Sequence, residues 1–217
     1  MLPKDLARIW KAIRYDPRNL VYPLRHPGRL ASGIYLFNGN RILQHPGARI
    51  EKAAGRVQFG CFWDFWRSKG GIVVHDGACL RFQGEAVIGD GAVLEVHPGA
   101  LLEIGAGTTI NPGSRIIALE EIRIGADCAI SWEVQIMDGD YHRLSGPEGN
   151  PEPATASIHI ADHVWIGARS LILKGTRIEA GAVVGAGSVI AGKKVPARTV
   201  VAGNPARTVR ENAHWER

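Results

Sequence analysis

The sequence predicts an all-β chain wound as a triangular coil of short strands, and three observations carry that prediction. From Ile160 to Ile190 an aliphatic residue occupies every sixth position, at Ile160, Ile166, Ile172, Ile178, Val184 and Ile190. A small residue stands four positions after most of them, as at Ser170, Thr176, Ala182 and Ser188. The period matches neither the roughly 3.6 residues of a helix nor the alternation of a half-buried strand, so the backbone must return to one orientation after each hexad. Three hexads then make a turn of about 18 residues with a short strand on each side, and successive turns stack their aliphatic side chains.

The chain opens on a basic arm, residues 1–30. Its Lys4, Arg8, Lys11, Arg14, Arg18, Arg25 and Arg29 stand against Asp5 and Asp16, and seven minus two accounts for the whole net charge of +5. Confinement to the arm removes the reason to expect a nucleic-acid partner. Leu2, Leu6, Ile9, Trp10 and Ile13 fall near one face of a short helix beginning around Pro3. Such a helix suits docking on the coil or on a neighbouring subunit, with peripheral contact to an anionic membrane as the second reading. Charged Lys4, Asp5 and Arg8 replace the apolar stretch of a secretion signal, no run is long enough to span a bilayer, and three cysteines leave one unpaired in any disulfide scheme. A cytoplasmic setting is expected, with Cys128 as a buried small group in a hexad.

Residues 31–217 read as one domain. An irregular opening segment runs to about residue 71, and its Phe62, Trp63, Phe65 and Trp66 are expected to be core or subunit contacts. Coils follow through Ile88, Leu94, Ile104, Ile110, Ile116, Ile124, Ile130 and Ile136, with slips before Ile104 and Ile124. Gly or Ala after the aliphatic residue, as at Gly89, Gly105, Gly125, Gly167 and Gly185, suits a corner where backbone meets backbone or φ turns positive. The hexads stop between Asp138 and Ser157, among Gly139, Gly146, Pro147, Gly149, Pro151 and Pro153, and resume at Ile158 or Ile160. An interruption in a rigid solenoid is where a binding loop is best mounted. The end of the chain is expected to cap the coil.

Val164-Trp165-Ile166-Gly167-Ala168, Val184-Gly185-Ala186-Gly187-Ser188-Val189-Ile190, Lys193-Lys194-Val195-Pro196 and the closing Val201-Ala202-Gly203-Asn204-Pro205-Ala206-Arg207 resemble the hexapeptide-repeat acyltransferases. Within them, the maltose and galactoside acetyltransferases and the O-acetyltransferases of surface-polysaccharide biosynthesis are most similar. The resemblance spans about residues 72–210. It implies a left-handed parallel β-helix, against the usual right-handed crossover, a homotrimer, acetyl-CoA as acyl donor, a sugar or glycan hydroxyl as acceptor, and no metal.

The resemblance also implies site residues. His142, in Met137-Asp138-Gly139-Asp140-Tyr141-His142-Arg143, matches the general base, a task for which imidazole has a suitable pKa. Asp138 and Asp140 are candidates to orient it or to bind acceptor hydroxyls, or else ordinary turn aspartates. Trp165 and Gly167 match the wall beside the reaction centre, Ala168 the backbone N–H near the thioester, and Ala186 a second backbone position along the pantetheine arm. Lys193 or Lys194, with Arg207 and Arg210, match the basic positions that meet coenzyme phosphates. One residue more than the commonest form before Val195-Pro196 leaves open which lysine does so. His75, His97, His159 and His163 are expected to be structural or superficial.

Three other readings fit less of the sequence. A xenobiotic acetyltransferase of the streptogramin or chloramphenicol type calls for a longer, more apolar loop than residues 143–157. A γ-type carbonic anhydrase, with His142, His159 and His163 on zinc, leaves the closing basic motifs unexplained. A non-catalytic scaffold leaves His142 unexplained.

Overall fold

In a computed structural model of the protein, residues 33–36, 40–60, 70–146 and 149–217 are described. The arm, the aromatic group Phe62 to Trp66 and residues 147–148 lie outside them. Every regular element among the described residues is a strand, and the strands form three sheets.

Sheet A holds Ile34–Leu36, Val57–Phe59, Ala86–Ile88, Thr108–Ile110, Ala129–Ile130, Trp165–Ile166, Val183–Val184, Val200–Gly203 and Ala206–Arg210. Sheet B holds Arg41–Gln44, Gly71–Val74, Val93–Val96, Arg115–Ala118, Gln135–Met137, Leu171–Leu173 and Val189–Ile190. Sheet C holds Arg49–Lys52, Cys79–Phe82, Leu101–Ile104, Glu121–Ile124, Ile158–Ile160, Arg177–Ile178 and Lys194–Val195. The chain visits the sheets in rotation and each strand pairs in parallel with its counterpart one coil on, which makes a three-sided β-helix of the left-handed kind.

The hexad positions line its axis. Ile88, Leu94, Ile104, Ile110, Ile116, Ile130, Ile136, Ile166, Ile172, Ile178 and Val184 are fully buried, as are Ser114, Cys128, Ser170, Ala182 and Ser188 among the small partners. Buried hydroxyls are all hydrogen-bonded: Ser114 Oγ donates to Ser131 O at 2.8 Å and Ser170 Oγ to Gly185 O at 3.0 Å. The coil is less uniform than the hexads predict. Trp165 pairs with Val183, 18 positions on, but Ala86 pairs with Thr108, 22 positions on, because the earlier strands run to four residues.

Glycines after the aliphatic residues serve close approach. A Cβ on Gly167 would stand 2.5 Å from Ala186 N, and one on Gly105 would stand 2.2 Å from Gly125 C. Positive φ comes two residues later, at Gly107 and Gly187, and at the non-glycine residues Asp127, Glu133, His163 and Arg169. Those four form pairs across successive coils: His163 Nδ1 lies 3.0 Å from Asp127 Oδ2, and Arg169 Nε donates to Glu133 Oε2 at 2.6 Å. A side chain in the left-handed region is strained, and the pairs compensate for it.

The far end is closed by an antiparallel hairpin, Val200–Gly203 with Ala206–Arg210, whose turn holds a cis Asn204–Pro205 bond. Residues beyond it fold back over sheet A. Trp215 stacks on His163 with ring centroids 4.2 Å apart, and Arg217 donates to Cys128 O at 2.7 Å. No helix of the described residues is long and apolar enough to cross a membrane.

Candidate active site

Residues 138–157 leave the corner between sheets B and C as a doubled-back excursion. Gly139 bridges Thr155, Ser145 bridges Pro151, Asp140 N donates to Ala154 O at 3.0 Å and Glu152 N to Leu144 O at 2.9 Å. Lys174, at the same corner one coil on, grips both arms through Asp140 and through Pro153 O. The coil resumes in register, Ile122 opposite Ile158.

His142 stands on the outward arm, exposed, with no hydrogen bond or ion pair to the described residues. Its neighbour Tyr141 turns back to the coil at φ 60°, and its hydroxyl lies 2.9 Å from His97 Nε2. Partial burial, and then the charges of Glu95 and Asp138, push the Tyr141 hydroxyl above its ordinary pKa.

The expectation that Asp138 orients the imidazole or binds acceptor is corrected. Its side chain is fully buried, and it accepts from Leu119 N at 2.6 Å, Glu120 N at 2.9 Å and Glu121 N at 2.7 Å. Three donors on the neighbouring corner commit this carboxylate to the loop root. Asp140 is likewise engaged, paired with Lys174 instead of His142.

The corner between sheets A and B carries an open groove of about 460 Å³, lined by Trp132, Glu133, Ala168, Arg169, Ala186 and Gly187. It brings together two sequence-chosen positions, Ala168 and Ala186, one coil apart. Ala168 O accepts from Gly187 N at 2.8 Å, while the N–H groups of Ala168 and Ala186 have no acceptor among the described residues. Gly167 is buried behind them. Trp165, 42% exposed, lies on sheet A beside this corner and donates Nε1–H to Ser131 Oγ at 3.2 Å. Sequence reasoning missed Trp132, Glu133 and Arg169. The signal was the recurrence of one corner as Ser131-Trp132-Glu133, Gly167-Ala168-Arg169 and Gly185-Ala186-Gly187.

The closing hairpin stands over this same corner, since Gly185 N donates to Val201 O at 2.8 Å and Gly203 N to Ser188 Oγ at 3.1 Å. Arg207 is exposed at its tip, and Arg210 lies three residues on, opposite Val200. The two lysines part company. Lys193 Nζ reaches Ala206 O at 3.4 Å beside Arg207, whereas Lys194 lies in sheet C, paired with Glu179 at 3.2 Å.

The other candidates stay apart. His159 faces Glu121 on sheet C at 3.5 Å, and His163 lies between Asp127 and Trp215, so His142, His159 and His163 share no site. Cys128 Sγ donates to Ala161 O at 3.2 Å in full burial, which pushes its thiol up to about 11 and removes it as an acyl carrier.

Three comparisons bear on the whole arrangement. Residues 157–192 match the family model of the bacterial transferase hexapeptide (six repeats). An Escherichia coli (strain K12) protein named as a lipopolysaccharide biosynthesis O-acetyl transferase is 34% identical over 115 residues, 47% of this chain and 58% of that one. The chain therefore spans under two thirds of that relative. The solved structures of the polySia-specific acetyltransferase NeuO and the polysialic acid O-acetyltransferase OatWY are each 25% identical. They align at TM-scores of 0.55 and 0.53 over 86% and 85% of this chain and 90% of each of those. With its buried hexads and its three rotating parallel sheets, the chain has the hexapeptide-repeat β-helical fold, and over this fold it is similar to acetyltransferases.

Proposed function

We propose that the protein is an acetyl-CoA-dependent O-acetyltransferase acting on a sugar hydroxyl of a glycan or polysaccharide precursor, with His142 as general base. The observation that carries this reading is the break at 138–157, which holds one exposed, unpartnered imidazole on a loop tied at its root by Asp138 and on both arms by Lys174. The likeness to a polySia-specific acetyltransferase and to a polysialic acid O-acetyltransferase supports a glycan acceptor.

In the reaction, His142 removes the hydroxyl proton as the oxygen attacks the thioester carbonyl. The Ala168 N–H, without an acceptor of its own, is available to the oxyanion of the tetrahedral intermediate. Collapse expels the coenzyme A thiolate, which is protonated as it leaves. Along the groove the Ala186 N–H meets the pantetheine amides, and Lys193, Arg207 and Arg210 meet the phosphates. Lys194 is set aside because Glu179 already holds it.

The groove and the loop stand at different corners of the coil, separated by the width of sheet B. One protomer therefore cannot easily bring its own His142 to its own groove, and a homotrimer completes the site between neighbours. One of the two outward rows of sheet B, Val73, Ile117, Met137 and Leu173, is apolar apart from Glu95 and suits such packing, while the other carries Arg41, Arg115 and Gln135.

His142→Ala is expected to lower transfer from acetyl-CoA to a glycan acceptor by about 100-fold or more, the scale of general base catalysis, with coenzyme A binding retained in calorimetry. Unchanged turnover would remove His142 from this role.

A further inference from the structure

Three histidines, His45, His75 and His97, occupy the same corner of successive coils, directly beneath the loop that bears His142. Their ring centroids are 4.8 and 5.2 Å apart, and Tyr141 extends the row at 5.4 Å from His97. Glu95 projects outward from sheet B into this row. His75 Nε2 lies 3.2 Å from Glu95 Oε1, and His97 Nε2 lies 3.4 Å from the same oxygen. The ligand atoms of the three side chains all fall within 4.8 Å of one another, the only such group among the described residues.

We infer that His75 Nε2, Glu95 Oε1 and His97 Nε2 form a site for a divalent transition metal of the zinc class. Metal–ligand bonds of about 2.0–2.2 Å place tetrahedral ligand atoms roughly 3.3–3.6 Å apart. The two nitrogen–oxygen distances, 3.2 and 3.4 Å, lie close to such edges. Two imidazoles and one carboxylate are a donor set of intermediate hardness with positions left open.

The surroundings of Glu95 point the same way. The carboxylates of sheet C each hold an arginine or lysine: Glu51 with Arg81, Glu103 with Arg81 and Arg123, Glu121 with Arg123, and Glu179 with Arg177 and Lys194. Among the described residues Glu95 has no such partner, only the two imidazoles. Its neighbours in register on sheet B are the apolar Val73 and Ile117, and two imidazole nitrogens are turned to the carboxylate. A cation between them satisfies all three groups.

The site acts on the loop through His97. One Nε2 lone pair serves either the metal or the Tyr141 hydroxyl, now 2.9 Å away. Metal occupancy therefore displaces the Tyr141 contact or draws the phenol oxygen in as a further ligand, and either resets the anchor one residue before His142. This inference is independent of the transferase reading.

The test uses the full-length protein, stripped with a chelator. It is titrated with Co2+ followed by visible absorption and with Zn2+ followed by calorimetry. About one equivalent should bind per chain, and His142→Ala should bind it equally, so loss of transfer and loss of metal are separable. Glu95→Gln, which keeps size and hydrogen bonding, and His97→Ala should each weaken binding about tenfold or more. Zn2+ should raise the thermal midpoint of the unsubstituted protein and raise that of Glu95→Gln by less at the same concentration. Equal binding by Glu95→Gln and the unsubstituted protein, or no saturable binding by the latter, would overturn the inference.

Discussion

Asp138 shows how a residue can be chosen for one task and placed for another. In the chain it is an acid four positions from His142, inside a polar loop, and chemistry is a natural reading. In the fold it receives three backbone N–H groups of the preceding coil, at Leu119, Glu120 and Glu121, from a position of zero exposure. Hydrogen bonds to a charged group are individually strong, and removing the acceptor leaves buried donors unsatisfied. Asp138→Ala should therefore cost about 3 kcal/mol in urea denaturation. A midpoint within error of the unsubstituted protein would show that the carboxylate is dispensable. Cys128 is the opposite case: its place among the small hexad residues already indicates burial, and the thiol is buried.

At the scale of the element, sheet C carries a charge ladder. Glu51, Arg81, Glu103, Arg123, His159, Arg177 and Lys194 follow one another in register down its outer surface. Hydrogen bonds from Arg81 hold the Glu51 carboxyl below its ordinary range, and those from Arg123 do so for Glu121. At Glu103 burial opposes the shift, but hydrogen bonds from Arg81 and Gln83 prevail and the carboxyl is again lowered. A depressed carboxylate contributes stability above its unfolded pKa, and loses that contribution as pH falls through the folded value. The ladder's contribution should fade below the ordinary carboxylate pKa of 4.5. These groups are only partly buried and still meet solvent, so the effect is modest and screened by salt. Thermal midpoints followed from neutral to acid pH should fall less steeply in Glu103→Gln/Glu121→Gln than in the unsubstituted protein; parallel curves would remove the ladder from the acid response.

None of the ladder is visible in the linear sequence, since its members lie 17 to 36 positions apart. Glycine placement is half legible. The close approach at Gly167 and Gly105 follows from their hexad position, whereas the positive φ at Glu133 and Arg169 falls on residue types that announce nothing.

At the scale of the molecule, the two halves of the candidate site occupy different corners, and the apolar row of sheet B lies between them. On the proposed reading the site closes between neighbouring copies of the chain. With a chain of 23.5 kDa, three times which is about 70 kDa, sedimentation should report the trimer. A monomer that transfers acetyl groups at full rate would refute the shared site.

By itself the sequence determined the interior. A period of six is a local steric property, and Ile166, Ile172, Ile178 and Val184 point inward wherever the coil goes. It also marked the loop, because a failed period is as local as a kept one. Only the tertiary structure decided which residues meet across coils: that Asp138 serves the backbone, that Lys193 and not Lys194 reaches the hairpin, and that His75 and His97 share Glu95. Those meetings depend on the residues spent in each turn, 17 or 18 late in the chain, 36 in the coil that carries the loop, 20 to 22 before it and 23 to 30 in the first coils. Corners absorb different numbers of residues while the strands keep register, as Ile158 does opposite Ile122 after the long excursion, and no local pattern records that sum.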